Sequence, residues 1–205
     1  MKKTSLIPLL AFLFFVSCGN PAAKESKKDD SESSSSESSA PLSGIAKTAD
    51  DAQKRMEELK SLQPISNESL KSVFPEEVMG MKRSSFSVSS TLGYSVGTAE
   101  YRKDDTTKYQ ISIYDCAGEA GSAFYGMSYL TRLNMEREDD NGYEKTVSFM
   151  DTKAIETYKT YNNEYNLSFV TAERFWVSLE SQNTGLDNLK SFAQALNLDR
   201  LKDLK

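Results

Sequence analysis

The sequence contains no histidine, and cysteine occurs only twice, at Cys18 and Cys116. Without histidine there is no Ser-His or Cys-His nucleophilic catalysis and no imidazole-ligated zinc or iron site. Two cysteines cannot supply a four-thiolate site. Carboxylate, lysine and tyrosine chemistry remain open, but no catalytic motif built from them is visible. No catalytic residue, metal ligand set or cofactor is therefore assigned. Basic residues are also in short supply, with 25 Lys and Arg against 30 Asp and Glu and a net charge of −5. Nucleic acid wants a basic face, so it is not an expected partner. The same deficit argues against electrostatic attraction to anionic lipid. Long apolar runs are missing as well, save one from Leu6 to Val16. That run is shorter than the roughly 20 apolar residues needed to cross a ~30 Å hydrocarbon core.

What is present begins at that run. Lys2 and Lys3 precede it, and the small residue Ser17 closes it just before Cys18. A basic n-region, an apolar h-region and a small residue at the cut form the layout of a secretory signal peptide, residues 1–17. The tetrapeptide Phe15-Val16-Ser17-Cys18 resembles the lipobox of bacterial lipoproteins, with Phe15 standing where leucine is usual. The resemblance implies that Cys18 is lipidated, that the leader is removed, and that the acylated cysteine becomes the first residue. The implied partner is a membrane reached through Cys18. The implied location is the bacterial cell envelope, at the outer membrane and on its periplasmic or surface face. One acyl chain gives only marginal binding, so more than one is expected. Cleavage would remove Lys2 and Lys3 and no acid, taking the net charge from −5 to −7. With Cys18 committed to lipid, Cys116 has no partner for a disulfide within the chain and is expected to be a buried small apolar side chain.

Residues 18–46 read as a tether. Lys24 to Ser39 is almost wholly Ser, Lys, Asp and Glu, with Ser33 to Ser36 at its centre. Such a segment has too little apolar surface to offset its ordering entropy. About 25 flexible residues span roughly 25–30 Å root-mean-square. Lys28-Asp29-Asp30 is similar to the lysine-plus-two-acids signals that send some Gram-negative lipoproteins to the cell surface, but it stands ten positions after Cys18 rather than beside it. A charged patch in a solvated linker is the preferred reading.

Residues 47–63 predict a helix, with Ala49, Ala52, Met56 and Leu59 on one stripe and Pro64 beyond its end. Residues 64–205 are long enough for one domain with one sizeable core. Ser66 is placed to cap a short helix through Val73. Strand-like alternation follows over 82–90, 94–102 and 109–114. The second run shifts phase, since Tyr94 and Val96 are out of step with Ala99 and Tyr101, which suggests a bulge. A helix is expected over 118–136, with an inner stripe of Ala120, Ala123, Phe124, Met127 and Leu130. Its glycines each cost about 1 kcal/mol relative to alanine, which points to a close backbone approach to a sheet or ligand. Further strands are expected over 143–149, 154–161, 165–170 and 174–180, then a last helix over 186–196. The order βββ-α-ββββ-α predicts an α+β fold: a mainly antiparallel sheet of six to seven strands covered by helices. This element order resembles the Mog1/PsbP-like sandwich of several small exported proteins. The resemblance implies an accessory or binding role more often than catalysis.

Four residues stand out as candidate ligand-binding positions. Asp115 and Gly118 bracket a strand end and a helix start, where Asp115 either caps the helix or helps hold a small anion at its N-terminus. Arg83 and Arg174 are cations beside apolar strand residues. Glu138 to Gly142 looks superficially like a calcium loop, but Arg137 and Ser148 fall where the first and last ligands belong. Most of the ten tyrosines lie in expected strands. A sheet face with several phenols suits a sugar or peptide, although cross-strand packing is the default. The functional expectation is a non-catalytic, lipid-anchored envelope protein with a binding or assembly-accessory role, its partner an envelope protein or small ligand. The alternative is a carboxylate- or tyrosine-dependent envelope enzyme such as a glycan-acting hydrolase.

Overall fold

The computed structural model describes residues 42–90, 93–127 and 133–204. The leader, Cys18, Lys28-Asp29-Asp30, the Thr91-Leu92 turn, Leu130 and the side chain of Met127 lie outside the described residues.

Among the described residues nine strands form one antiparallel sheet: β1 (Glu77–Val78), β2 (Met81–Ser89), β3 (Ser95–Arg102), β4 (Lys108–Asp115), β5 (Glu136–Asp139), β6 (Gly142–Phe149), β7 (Thr152–Lys159), β8 (Glu164–Thr171) and β9 (Phe175–Gln182). Their order is β1-β2-β3-β4-β9-β8-β7-β6-β5. The first four strands make one meander, the last five another, and the β4–β9 pair joins them. Among the described residues four α-helices accompany the sheet: α1 (Leu42–Lys60), α2 (Asn67–Lys71), α3 (Gly118–Met127) and α4 (Leu186–Ala195). The fold is α+β, as the sequence predicts, with more strands than the six or seven expected.

The two additional strands are β1, only two residues long, and β5, whose Glu-Arg-Glu-Asp sequence is exposed throughout. Neither carries apolar alternation, so periodicity cannot reveal them. β5 also corrects the helix expected over 118–136: α3 ends at Met127, and Glu136–Asp139 pairs with β6. A tight turn explains this. Asp139 Oδ1 accepts the Asn141 N–H at 2.8 Å, and Gly142 adopts a φ of +137° that returns the chain against β5. α1 starts before the expected residue 47, taking residues 42–46 from the tether range, and stops at Lys60, ahead of Pro64. Ser66 caps α2 as predicted, its Oγ accepting the Ser69 N–H at 3.1 Å.

One face of the sheet carries the main core. Ala99, Tyr101, Tyr109, Ile111, Ile113, Leu167, Phe169, Val177 and Leu179 are buried there. α4 closes it with Leu189, Phe192 and Ala193, and the Phe192 ring stacks on Tyr109 at 4.7 Å. Phe74 and α2 cover the β2–β3 end of the same face. The bulge expected in 94–102 is not there. β3 alternates regularly, with Ser95, Gly97, Ala99 and Tyr101 buried, and the irregularity falls in β2 between Arg83 and Ser85. The phase was hidden because Gly97 lies under Phe74, where a Cβ would come within 2.5 Å of the ring. Tyr94 and Val96 point to the opposite face, and there Tyr94 and Tyr114 pack on Phe124 of α3.

Among the described residues α1 and α3 cover that opposite face at one end. Leu59, Cys116 and Tyr125 are buried in a small second cluster, with Met56, Val170 and Trp176 against them. The stripe expected on α3 is out of phase: Ala120 and Ala123 are exposed, while Gly121, Ser122 and Tyr125 are buried. Gly121 is the reason, because a Cβ there would lie 2.8 Å from the Asp115 carbonyl. The contact depends on a missing side chain, which no count of apolar residues registers. Away from α1 and α3 this face becomes polar, with hydroxyls of Thr98, Ser112, Ser168 and Ser178 bonded in pairs.

Candidate functional site

Polar chemistry gathers at three places. The first contains three of the four residues singled out in the sequence. Asp115 continues the alternation of Ile111 and Ile113, so its carboxylate enters the main core face and is fully buried. Its Oδ1 accepts from Arg174 Nε at 2.7 Å and from the Ala117 N–H at 3.1 Å. Its Oδ2 accepts from Arg174 Nη2 at 2.8 Å and from the Ile65 N–H at 2.7 Å. Arg174 Nη2 also donates to the Gln63 carbonyl at 2.9 Å. This is a bidentate guanidinium–carboxylate pair with added backbone donors. It ties the segment before α2 to the end of β4 and to the β8–β9 turn. Asp115 does not cap α3, since its backbone partners lie outside that helix. Gly118 sits beside the pair, packed between the Gly93 carbonyl and Pro64. In this arrangement the Asp115 oxygens are taken by four protein donors.

Arg83 lies apart from these three. It donates to the Phe74 carbonyl at 2.8 Å, and its guanidinium stands 4.4 Å over the Phe86 ring. Cys116 follows Asp115 and is buried beneath the start of α3, its N–H donating to the Arg174 carbonyl at 3.0 Å. Burial pushes its thiol up to about 12, so it stays a neutral thiol near pH 7.

The second place was not foreseen. Glu156 sits on β7 in register with Leu167 on one side and Lys145 on the other, and its side chain is 1% exposed. Tyr143 Oη donates to Oε1 at 2.9 Å, Lys145 Nζ stands 3.4 Å from the same oxygen, and Lys190 of α4 reaches Oε2 at 3.0 Å. Burial by itself would raise the Glu156 pKa, but the bonds from Lys190 and Tyr143 and the two ammonium charges hold it below the usual range. The Tyr143 phenol is pushed up, first by burial and then by its bond to Glu156. Tyr158 stacks on Tyr165 at 4.5 Å and lies 5.9 Å from Tyr143, so three phenols share this patch. A signal existed in the sequence. Alternation that buries Ala154 puts Glu156 on the same face, and a charged residue in the inward phase marks a polar centre.

The third place is a cleft of about 230 Å³ at the β5–β6 turn. Gly142 is one of its lining residues and lies so close to β7 that a Cβ there would run into the Tyr158 carbonyl. Arg137, Asp139, Glu144 and Lys159 supply two charges of each sign, and Asn141 and Thr157 add neutral hydrogen-bonding groups. Lys159 is paired with Glu164 at 2.5 Å, which raises its pKa. Tyr161 stands at the rim, 75% exposed. Its exposure is a tertiary property that the sequence does not carry.

Among the described residues no group of three His, Cys, Asp or Glu side chains could hold a metal ion, and no helix is long and apolar enough to cross a membrane. No protein-family model matches the chain, no curated protein matches it, and no solved structure matches it.

Proposed function

We propose that this chain is a lipid-anchored envelope protein, non-catalytic, whose sheet domain holds an uncharged polyhydroxylated ligand, a glycan, in the cleft at Gly142. The observation that carries the ligand class is the pairing of Tyr161, three-quarters exposed, with a cleft whose charges balance. An exposed ring offers a platform for the apolar face of a sugar, and interleaved donors and acceptors suit vicinal hydroxyls. Two cations facing two anions favour neither a strongly anionic nor a strongly cationic ligand. The anchor rests on Phe15-Val16-Ser17-Cys18 and the Ser- and Asp/Glu-rich segment after it. In this reading the domain is of the Mog1/PsbP-like kind and acts as an accessory at the outer membrane.

The anchor is tested by detergent phase separation. The parent chain should enter the detergent phase and Cys18→Ala should stay in the aqueous phase; a variant that still partitions with detergent contradicts the anchor. The ligand is tested by amide chemical shifts during titration with an N-acetylglucosamine trimer. Shifts should cluster at residues 137–144 and 157–161, and Tyr161→Ala should weaken binding about tenfold, equivalent to ~1.4 kcal/mol. Shifts elsewhere, or an unchanged affinity, would refute it.

One observation favours hydrolysis as a second reading. Asp139 and Glu144 line the same cleft at diagonal positions of the β5–β6 register. The backbones of such neighbours stand about 7–8 Å apart, which lets side-chain rotation bring the two carboxyl groups to the separation that inverting glycosidases use. Release of reducing ends from the trimer, abolished by Glu144→Gln, would select this reading.

A further inference from the structure

The two outer strands of the sheet are built very differently. β5 at one margin is Glu136-Arg137-Glu138-Asp139, every residue charged and exposed. Short, charged edges discourage pairing with another chain. At the other margin β1 pairs with only Met81 and Lys82 of β2, and the Arg83 N–H then donates to the Glu76 carbonyl. Among the described residues, Ser84 to Val88 has a strand on its inner side, β3, and none on its outer side. No charged residue and no proline occurs from Ser84 to Ser90. An uncharged open edge of this length is a template for strand addition.

The sequence of that edge is complementary to itself. When two copies of β2 are laid antiparallel with Ser87 opposite Ser87, Phe86 of each falls opposite Val88 of the other. An aromatic residue facing a β-branched one is among the favourable cross-strand pairs. The small serines alternate with them and impose no steric barrier. Opposed residues share a face, so both Phe86–Val88 pairs lie on the main core side. There Phe86 and Val88 are half-buried and already packed against the core. The stretch left open by β1 also allows only a limited register, because the Glu76–Val78 segment blocks any sliding towards Met81.

We infer that β2 is a self-association edge: two copies of this chain pair through Phe86–Val88 about a two-fold axis at Ser87, giving one continuous sheet. An isologous contact of this kind closes on itself as a dimer, and the charged β5 margins keep the joined sheet from growing further. The inference is independent of the cleft and of the ligand.

The test uses the full chain purified in a mild non-ionic detergent. Ser87→Cys should form a disulfide-linked dimer on mild oxidation, because directly opposed residues of antiparallel strands fall within disulfide reach. Glu138→Cys, on the charged margin, and the parent chain serve as controls and should remain largely uncrosslinked. Ser87→Lys places two ammonium groups face to face at the axis and should weaken the dimer at least tenfold in sedimentation equilibrium, with unchanged circular dichroism. Should the lysine variant fail to fold, the cysteine pair decides alone. A monomeric parent at ~100 µM, or a Ser87→Cys variant that crosslinks no better than Glu138→Cys, overturns the inference.

Discussion

Two carboxylates are buried in the same sheet face, Asp115 and Glu156, and the protein holds them by opposite means. Asp115 is bound by a guanidinium that is itself buried and by two backbone N–H groups. Its partners are fixed by the chain path and cannot turn to water. Glu156 is bound by a phenol and by two lysines whose side chains are 38% and 31% exposed. Those lysines lie on flexible stems and can hydrate if the carboxylate is lost. Burial of the acid is alike in the two cases, so exposure of the partners distinguishes a structural clasp from an adjustable polar centre.

The largest expected difference is in stability. Asp115→Ala leaves a buried guanidinium and two backbone donors without an acceptor and should cost about 3–5 kcal/mol. Glu156→Leu leaves two lysines that reach solvent and the Tyr143 hydroxyl without its acceptor, and should cost about 1–2 kcal/mol. Urea unfolding of both variants measures this directly, and equal losses would break the contrast. Smaller and more specific is the pH dependence of Glu156. Its folded pKa lies below the usual value, so its contribution is complete above the unfolded pKa and is lost as pH falls from 4.5 towards the folded value. Stability of the parent and of Glu156→Gln should therefore differ at pH 7 and converge as pH falls below 4.5 through the lowered folded pKa. A gap that stays constant down to pH 3 would remove Glu156 from the account. The smallest effect has the opposite sign. Glu180 is pushed up by burial and then by Glu164. It disfavours folding once pH rises past 4.5, so Glu180→Gln should be slightly more stable than the parent at pH 7, by under ~1 kcal/mol. A loss of stability in that variant would show that Glu180 is held by favourable partners instead.

The contrast also explains what the sequence discloses. Strands with a single apolar phase, such as β4 and β9, are legible because alternation reflects one buried face. β3 misleads because Tyr94, just before it, packs on Phe124 of the opposite face and Gly97 leaves a gap in the inward phase. β5 is invisible because its place is set by a turn and by pairing with β6, not by burial. Asp115 and Gly118 are recognisable because they flank element ends and Arg174 because it is a cation beside apolar strand residues; only the structure brings the three together around one ion pair. Glu156 leaves one faint mark, a charge in the inward phase, while Lys190 joins it from a helix far along the chain. Tyr161 leaves no mark, since exposure of an aromatic is decided only by what fails to cover it.

The clasp has a mechanical consequence. The described chain begins with α1, which is held by the small cluster around Leu59 and Tyr125 and by Arg55 donating to the Glu173 carbonyl. Tension arriving from that side would load α1 first and could peel it from α3 one turn at a time, a low-force unzipping. The load would then meet Gln63 and Ile65, both bonded to the Asp115–Arg174 pair. There the backbone must break several short bonds together instead of in sequence. Under such a load the clasp would act as a shear stop, letting the leading helix yield while the sheet stays folded.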